Sequence, residues 1–211
     1  MNHDFWHQRW ATYQIGFHES AANPMLVKHF EQLNLPKGSR VFLPLCGKTL
    51  DIAWLLKSGN QVVGVELSKL AIDQLFKDLN MDPVITREAK LEHYHSHHLD
   101  IFVGDIFDIT QSMLGKVGAI YDRAALVALP GEMRQRYTHH LIELTNSAPQ
   151  LLICFEYDQT LVDGPPFSVI ADEVRRHYEY HYELALLESV PEKLKGQFDA
   201  AEATWLLSRK D

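Results

Sequence analysis

Arg40-Val41-Phe42-Leu43-Pro44-Leu45-Cys46-Gly47-Lys48 opens on a continuous apolar run and closes on a loop of small residues. A short run without polar alternation is what a strand buried on both faces requires. Residues 49 to 57 then carry Leu50, Ala53, Trp54 and Leu56 at helical spacing, up to Gly59. Gln61-Val62-Val63-Gly64-Val65 is a second buried strand, ending on Glu66. Strand, helix and strand form a βαβ unit, whose right-handed crossover returns the chain to the same sheet in parallel.

The same rhythm extends in both directions. Upstream, Asn23-Pro24 reads as an N-cap with proline at the first helical position, and Met25, Leu26, Phe30 and Leu33 share one face of a helix from about 24 to 34. Before it, Trp6, Trp10, Tyr13 and Phe17 recur three or four residues apart, an aromatic stripe on a helix-like segment. Downstream, Ser68 caps a helix carrying Leu70, Ile72, Leu75, Phe76 and Leu79, and a polar stretch from 80 to 98 shows no period. Strands near 99–103, 117–121 and 150–156 alternate with helices near 131–145 and 169–177; two last strands, near 182–188 and 203–208, have no helix between them. The expectation is an α/β fold with a seven-stranded, mostly parallel sheet, a C-terminal antiparallel hairpin and helices on both faces. One domain over 1–211 is expected, with residues 1–35 as an N-terminal lid and helix and 36–211 as the core.

Composition narrows the partners. A formal charge of -8 and a pI near 5.8 argue against nucleic acid, which is held by clustered Lys and Arg. The start, Met1-Asn2-His3-Asp4-Phe5-Trp6-His7, has no signal-peptide pattern and no apolar run approaches a membrane span, so a cytoplasmic protein free of the membrane is expected, acting as a monomer. The two cysteines, Cys46 and Cys154, read as reduced thiols.

In an open parallel sheet, ligands bind beyond the carboxyl ends of the strands. Those ends are Leu45-Cys46-Gly47, Glu66, Gly104-Asp105, Asp122-Arg123 and Glu156-Tyr157-Asp158. Glu66, nineteen residues beyond Gly47, is placed to take both hydroxyls of a ribose, which implies an adenosine-containing ligand. A dinucleotide would need Gly-x-Gly-x-x-Gly, yet the loop has only Gly47. Gly47-Lys48-Thr49 imitates the tail of a Walker A loop, but Phe42 stands where that loop needs glycine. S-adenosylmethionine carries no phosphate and its sulfonium favours aromatic or acidic neighbours, so this loop meets its lower demand. Three readings stay open on the residues alone: a methyltransferase, a nicotinamide enzyme, and a non-catalytic adenosine-binding module.

The chain resembles the thiopurine S-methyltransferase family. The resemblance is carried by Trp6-x-x-x-Trp10, Ile15-Gly16-Phe17-His18, Val41-Phe42-Leu43-Pro44-Leu45-Cys46-Gly47-Lys48, Val63-Gly64-Val65-Glu66, Gly104-Asp105-Ile106-Phe107-Asp108 and Tyr121-Asp122-Arg123-Ala124-Ala125-Leu126-Val127-Ala128. It implies a Rossmann-like class I methyltransferase fold that moves a methyl group from S-adenosylmethionine, leaving S-adenosylhomocysteine, to the sulfur of thiopurines or related aromatic thiols. It further implies that Trp10, Leu45, Glu66 and Arg123 contact S-adenosylmethionine, that Asp105 and Ile106 lie beside the adenine, and that Phe17 lies near the thiol substrate. Bacterial relatives also bring selenium and tellurium oxyanions within range as acceptors. Where the family often sets a basic substrate residue, this chain reads Glu192-Lys193-Leu194-Lys195-Gly196-Gln197, without arginine. A thiol attacks as its thiolate, and the Arg123 guanidinium would favour that anion, which makes Arg123 the catalytic candidate. The contrasting hypothesis is a catalytically silent adenosine-binding sensor.

Other features take plainer readings. The aromatic stripe could pack on the core, although the resemblance makes it a lid over the cofactor; Asp122-Arg123 could be a simple ion pair. Cys46 has no base partner and reads as a packed thiol. Asp163-Gly164-Pro165-Pro166-Phe167 reads as a rigid turn at the edge of the substrate pocket. His93-Tyr94-His95-Ser96-His97-His98 has a spacing that can chelate, but it lies in the aperiodic stretch far from the strand ends, and no metal is expected.

Overall fold

The computed structural model describes residues 3–16 and 18–210. Its strands are β1 (Arg40–Pro44), β2 (Gln61–Glu66), β3 (Val84–Glu88), β4 (Leu91–Ser96), β5 (Leu99–Val103), β6 (Ala119–Arg123), β7 (Gln150–Tyr157), β8 (Tyr182–Leu194) and β9 (Phe198–Arg209). They form one sheet in the order β3-β4-β5-β2-β1-β6-β7-β9-β8. The five central strands, β5, β2, β1, β6 and β7, pair in parallel. β9 runs antiparallel to β7 and β8 to β9, the expected C-terminal hairpin.

Helices α1 (His3–Ala11), α2 (Pro24–His29), α3 (Asp51–Lys57), α4 (Lys69–Asp78), α5 (Gln111–Leu114), α6 (Gly131–Thr145) and α7 (Ala171–Tyr178) accompany the sheet. Two buried clusters lie on its two faces. Phe42, Val63, Phe102 and Leu152 belong to one, with Tyr137 and Leu141 of α6; Val41, Val62, Ile101 and Leu151 belong to the other, with Ile52 of α3 and Ile72 of α4. Alternation along each strand therefore feeds both faces, the physical meaning of continuous apolar runs. The caps follow the sequence. Asn23 Oδ1 accepts from Met25 N–H at 2.8 Å, and Ser68 Oγ from Ala71 N–H at 3.3 Å.

All seven strands read from the sequence are present, and the seven-strand count is corrected to nine among the described residues. The polar stretch 80–98 folds as the hairpin β3–β4, with β4 antiparallel to β5. β3 is an edge strand with four of its five residues exposed, so no apolar face marks it. The aromatic stripe is helical only through Ala11, and Tyr13 turns left-handed (φ 56°). The last hairpin is longer than its apolar segments because its distal half, β8 beyond Glu188 and the start of β9, projects partly exposed residues to a tip at Lys195-Gly196.

Candidate active site

β2 and β5 lie on one side of β1, while β6 and β7 lie on the other. Connections leaving β1 and β6 diverge at that point, and a crevice opens at the carboxyl ends of the strands. Beyond β1, Leu45 takes up the left-handed region (φ 48°) and Gly47 follows at φ 53°. Such a conformation costs a leucine about 1 to 3 kcal/mol and is held by its surroundings. Cys46 N–H donates to Val65 O at 3.0 Å, and a β-carbon on Gly64 would stand 2.8 Å from Cys46 Sγ. Only a glycine in β2 lets Cys46 seat against the sheet and turn the loop outward. Cys46 and Cys154 are both buried free thiols, pushed well up by burial.

Glu66 closes β2 at 6% exposure. Its Oε2 accepts from Gly47 N–H and its Oε1 from Ser68 N–H, both at 2.8 Å. Burial raises the carboxyl above its ordinary range, against the pull of N–H groups from Ser68, Gly47 and Leu67. With about four lone-pair sites on the carboxylate, these N–H groups leave acceptor capacity for a ligand.

On the other side of β1, β6 ends in Asp122 and Arg123. Asp122 is fully buried and accepts from Leu126 N–H at 3.0 Å and Tyr137 O–H at 2.7 Å. These bonds fix the turn in which Ala124 is left-handed (φ 58°), and the turn aims Arg123 into the crevice. Asp122 and Arg123 are therefore not a simple ion pair: Arg123 is paired with Glu19, 104 residues away, on the segment that follows α1.

α1 lies across the strand ends. Trp6 and Trp10 face the crevice, Trp10 at 3% exposure, and His3 Nε2 stands 3.0 Å from Asp105 Oδ2 beyond β5. Two adjoining cavities result. The first, about 60 Å³, is lined by Trp6, Trp10, His18, Leu45, Cys46, Lys48, Thr49, Glu66, Leu67, Arg123, Ala124 and Ala128. The second, about 470 Å³, shares Trp6, Arg123, Ala124 and Ala128 with the first. Val127, Phe155, Pro165, Pro166 and Leu194 give it apolar walls; Arg9, Glu19, Glu192, Lys193, Lys195 and Glu202 give it balanced charge. Burial raises the Glu202 carboxyl. The imidazole of His18 is lowered by burial and by Lys48 and Arg123 beside it, against the pull of Asp78, which favours its uncharged form.

Of the residues expected to bind, Trp10, Leu45, Glu66 and Arg123 come together on the first cavity, and Arg123 reaches both. Asp105 and Ile106 line neither. Asp105 Oδ1 accepts from Phe107 N–H at 3.0 Å, while Ile106 is 1% exposed in the core and its carbonyl accepts from His140 at 2.9 Å. Phe17 lies outside the described residues. Asp163–Phe167 does edge the second cavity: Phe167 N–H donates to Val127 O at 2.6 Å, and Tyr157 O–H to Pro166 O at 2.6 Å. Sequence reasoning missed His18, Glu19 and Glu202 as wall residues, and it left Lys193 and Lys195 without a role. Nothing local marks them, because the hairpin tip and the segment after α1 reach the site only through the tertiary fold.

Comparison with known proteins gives one consistent result. Residues 1–209 match the family described as Thiopurine S-methyltransferase. A thiopurine S-methyltransferase of Xanthobacter autotrophicus is 54% identical over 99% of this chain and 100% of its own length. Another, of Teredinibacter turnerae, is 49% identical over 99% of this chain and 98% of its own length. Among solved structures, the 1,6-didemethyltoxoflavin-N1-methyltransferase of Burkholderia thailandensis, with 1,6-didemethyltoxoflavin and S-adenosylhomocysteine bound, superposes with a TM-score of 0.68 at 13% identity, over 98% of this chain and 87% of that one. That likeness establishes the class I methyltransferase fold.

Proposed function

The chain belongs to the thiopurine S-methyltransferase family, and from that premise we propose that it transfers the methyl group of S-adenosylmethionine to the sulfur of thiopurines and related aromatic or heterocyclic thiols. One observation carries the reading: Arg123, Ala124, Ala128 and Trp6 are common walls of two cavities, one built for an adenosine ligand and one with apolar faces for a flat acceptor. A silent sensor is not favoured, since relatives covering the whole chain bear the enzyme's name and a sensor has no use for the second cavity.

The residues fit the methyl donor. Glu66 offers lone pairs to ribose hydroxyls, the loop Leu45–Lys48 brings one glycine rather than the three a pyrophosphate needs, and Trp6 and Trp10 add aromatic walls that suit a cation. When bound, S-adenosylmethionine supplies a methyl carbon activated by a positive sulfur, so the protein mainly aligns, excludes water and steadies charge. His18, in the uncharged form its surroundings favour, adds no repulsion to that sulfur. Arg123 stands where the acceptor sulfur must arrive and stabilises its thiolate, and Glu19 holds the guanidinium in place. Asp105 and Ile106 come beside the adenine once the His3–Asp105 contact is exchanged for the ligand. Family membership also gives Phe17 a part in binding the acceptor thiol.

A space of about 60 Å³ is well below the several hundred a ligand of this size fills. Residues 1–35 are accordingly read as a lid and helix on the core 36–211, with α1 lifting to admit the donor. Each chain carries both cavities whole, so a monomer suffices. No helix among the described residues is long and apolar enough to cross a membrane, and we place the enzyme in the cytoplasm, acting on small molecules.

The test is incubation with labelled S-adenosylmethionine and a panel of thiopurines, thiophenols, selenite and tellurite, reading methylated products. Labelled thioethers are expected; donor binding without turnover on any acceptor would restore the sensor. Arg123→Ala should cut thiol methylation by about 100-fold, as loss of one electrostatic stabiliser does, with little change in Tm. Unchanged turnover would remove Arg123 from its role.

A further inference from the structure

The histidine-rich stretch that the methyl-transfer site does not use becomes ordered on β4. His93 and His95, two residues apart, share one face of that strand, and Asp100 of β5 is the direct antiparallel partner of His95. His93 Nε2 and His95 Nδ1 each stand 2.7 Å from the same oxygen, Asp100 Oδ1. The three candidate ligand atoms all lie within 4.8 Å of one another. Asp100 sits near the start of β5 and Arg40 at the start of β1, so the cluster occupies the amino ends of the strands, opposite Glu66 and Arg123.

We propose that His93, His95 and Asp100 form a binding site for a borderline divalent transition-metal ion of the Zn²⁺ or Ni²⁺ class, separate from the methyl-transfer site. Two imidazoles and one carboxylate are the donor set such ions select, and they leave a coordination position for water. The surroundings supply what bare surface histidines lack. Glu88 Oε1 stands 3.1 Å from His93 Nδ1, so that nitrogen can carry the ring proton and donate it to Glu88, which frees Nε2 as a ligand. His93 is stacked on Phe102, centroids 4.4 Å apart and 12° from parallel, which fixes its ring. Arg40 donates to Asp100 Oδ2 at 2.6 Å, orienting the carboxylate and leaving Oδ1 for the ion. The His95 side chain is 60% exposed and provides the entry path. Both rings bind as neutral imidazoles, and bound metal would clamp the edge hairpin to the parallel core.

The experiment is calorimetric titration of the full, tag-free chain with ZnCl₂ and NiCl₂ in a non-coordinating buffer. One ion per chain is expected, with a rise in Tm of about 5 °C at 100-fold excess over Kd. His95→Ala, at an exposed position, should weaken binding at least about 10-fold, and Glu88→Gln should do so by about 10-fold through His93. The double variant His97→Ala/His98→Ala, which removes the neighbouring imidazoles at the turn, should bind as the wild type does. Absence of binding by the wild type, equal binding by His95→Ala, or loss confined to the His97/His98 variant would each overturn the assignment.

Discussion

Glu66 and Asp122 stand on the two strands that flank β1, and both are buried carboxyls raised by desolvation that accept backbone N–H groups from the turn ahead. One faces a ligand cavity and the other does not. Glu66 is the last residue of β2, and its N–H donors at 2.8 Å, Gly47 and Ser68, come from loops that border the cavity. Asp122 is the last but one of β6, so strand alternation sends its side chain into the core, toward Leu126 N–H and Tyr137 O–H, and hands the crevice to Arg123. A carboxylate at a strand end is thus not a ligand by residue type. One step along the strand decides between binding a molecule and holding a turn.

Removing each group separates the two roles. Asp122→Ala deletes both bonds inside a closed core and leaves Tyr137 O–H and Leu126 N–H without partners, so a loss of about 3 to 4 kcal/mol of unfolding free energy is expected from urea denaturation. A loss below about 1 kcal/mol would show that Asp122 is not the pin of the Ala124 turn. Glu66→Ala uncovers N–H groups that water in the cavity can reach, and its stability cost should stay near 1 kcal/mol. Its S-adenosylmethionine affinity should instead fall by about 30- to 100-fold by calorimetry, the worth of charge-assisted bonds to a ribose. Undiminished affinity would move the donor site elsewhere.

Much of this contrast could be read before folding. The runs 41–45, 62–65 and 151–155 are apolar throughout because both faces of the central strands are buried, and the strand ends then follow. Glu66, Leu45 and Arg123 were legible because a short local segment places each one. The wall partners were not, since Glu19 meets Arg123 and Lys193 approaches the second cavity only through contacts far apart in sequence. The hairpin β3–β4 stayed hidden for a different reason: an exposed edge strand buries nothing, so Val84 and Ile85 lie open and no period survives. Asp105 and Ile106 were legible as a strand end in the same way. The segment sits at the expected strand end, yet the Ile106 side chain packs in the core and Asp105 faces α1.

The smallest expected effect is the finest probe of the same contrast. Burial raises the Asp122 carboxyl from 3.8 to about 6, against the pull of Leu126 and Tyr137. Between those values the folded chain holds a proton that the unfolded chain has released, so stability from this group increases as pH falls and is lost as pH rises through about 6. Asn cannot titrate, and subtracting the Asp122→Asn curve removes every other group, including the lowered imidazoles of His18, His140 and His177 that act in the opposite direction. Measured by urea unfolding, wild-type stability relative to Asp122→Asn should improve by about 1 kcal/mol from pH 7 to pH 5. A flat difference would mean that the Asp122 site is wetter than its burial implies. Glu66→Gln, compared in the same way, should show a change of the same sign that disappears when S-adenosylmethionine is present, because ribose hydroxyls donating to Glu66 hold it ionised; nothing at Asp122 would respond to the ligand.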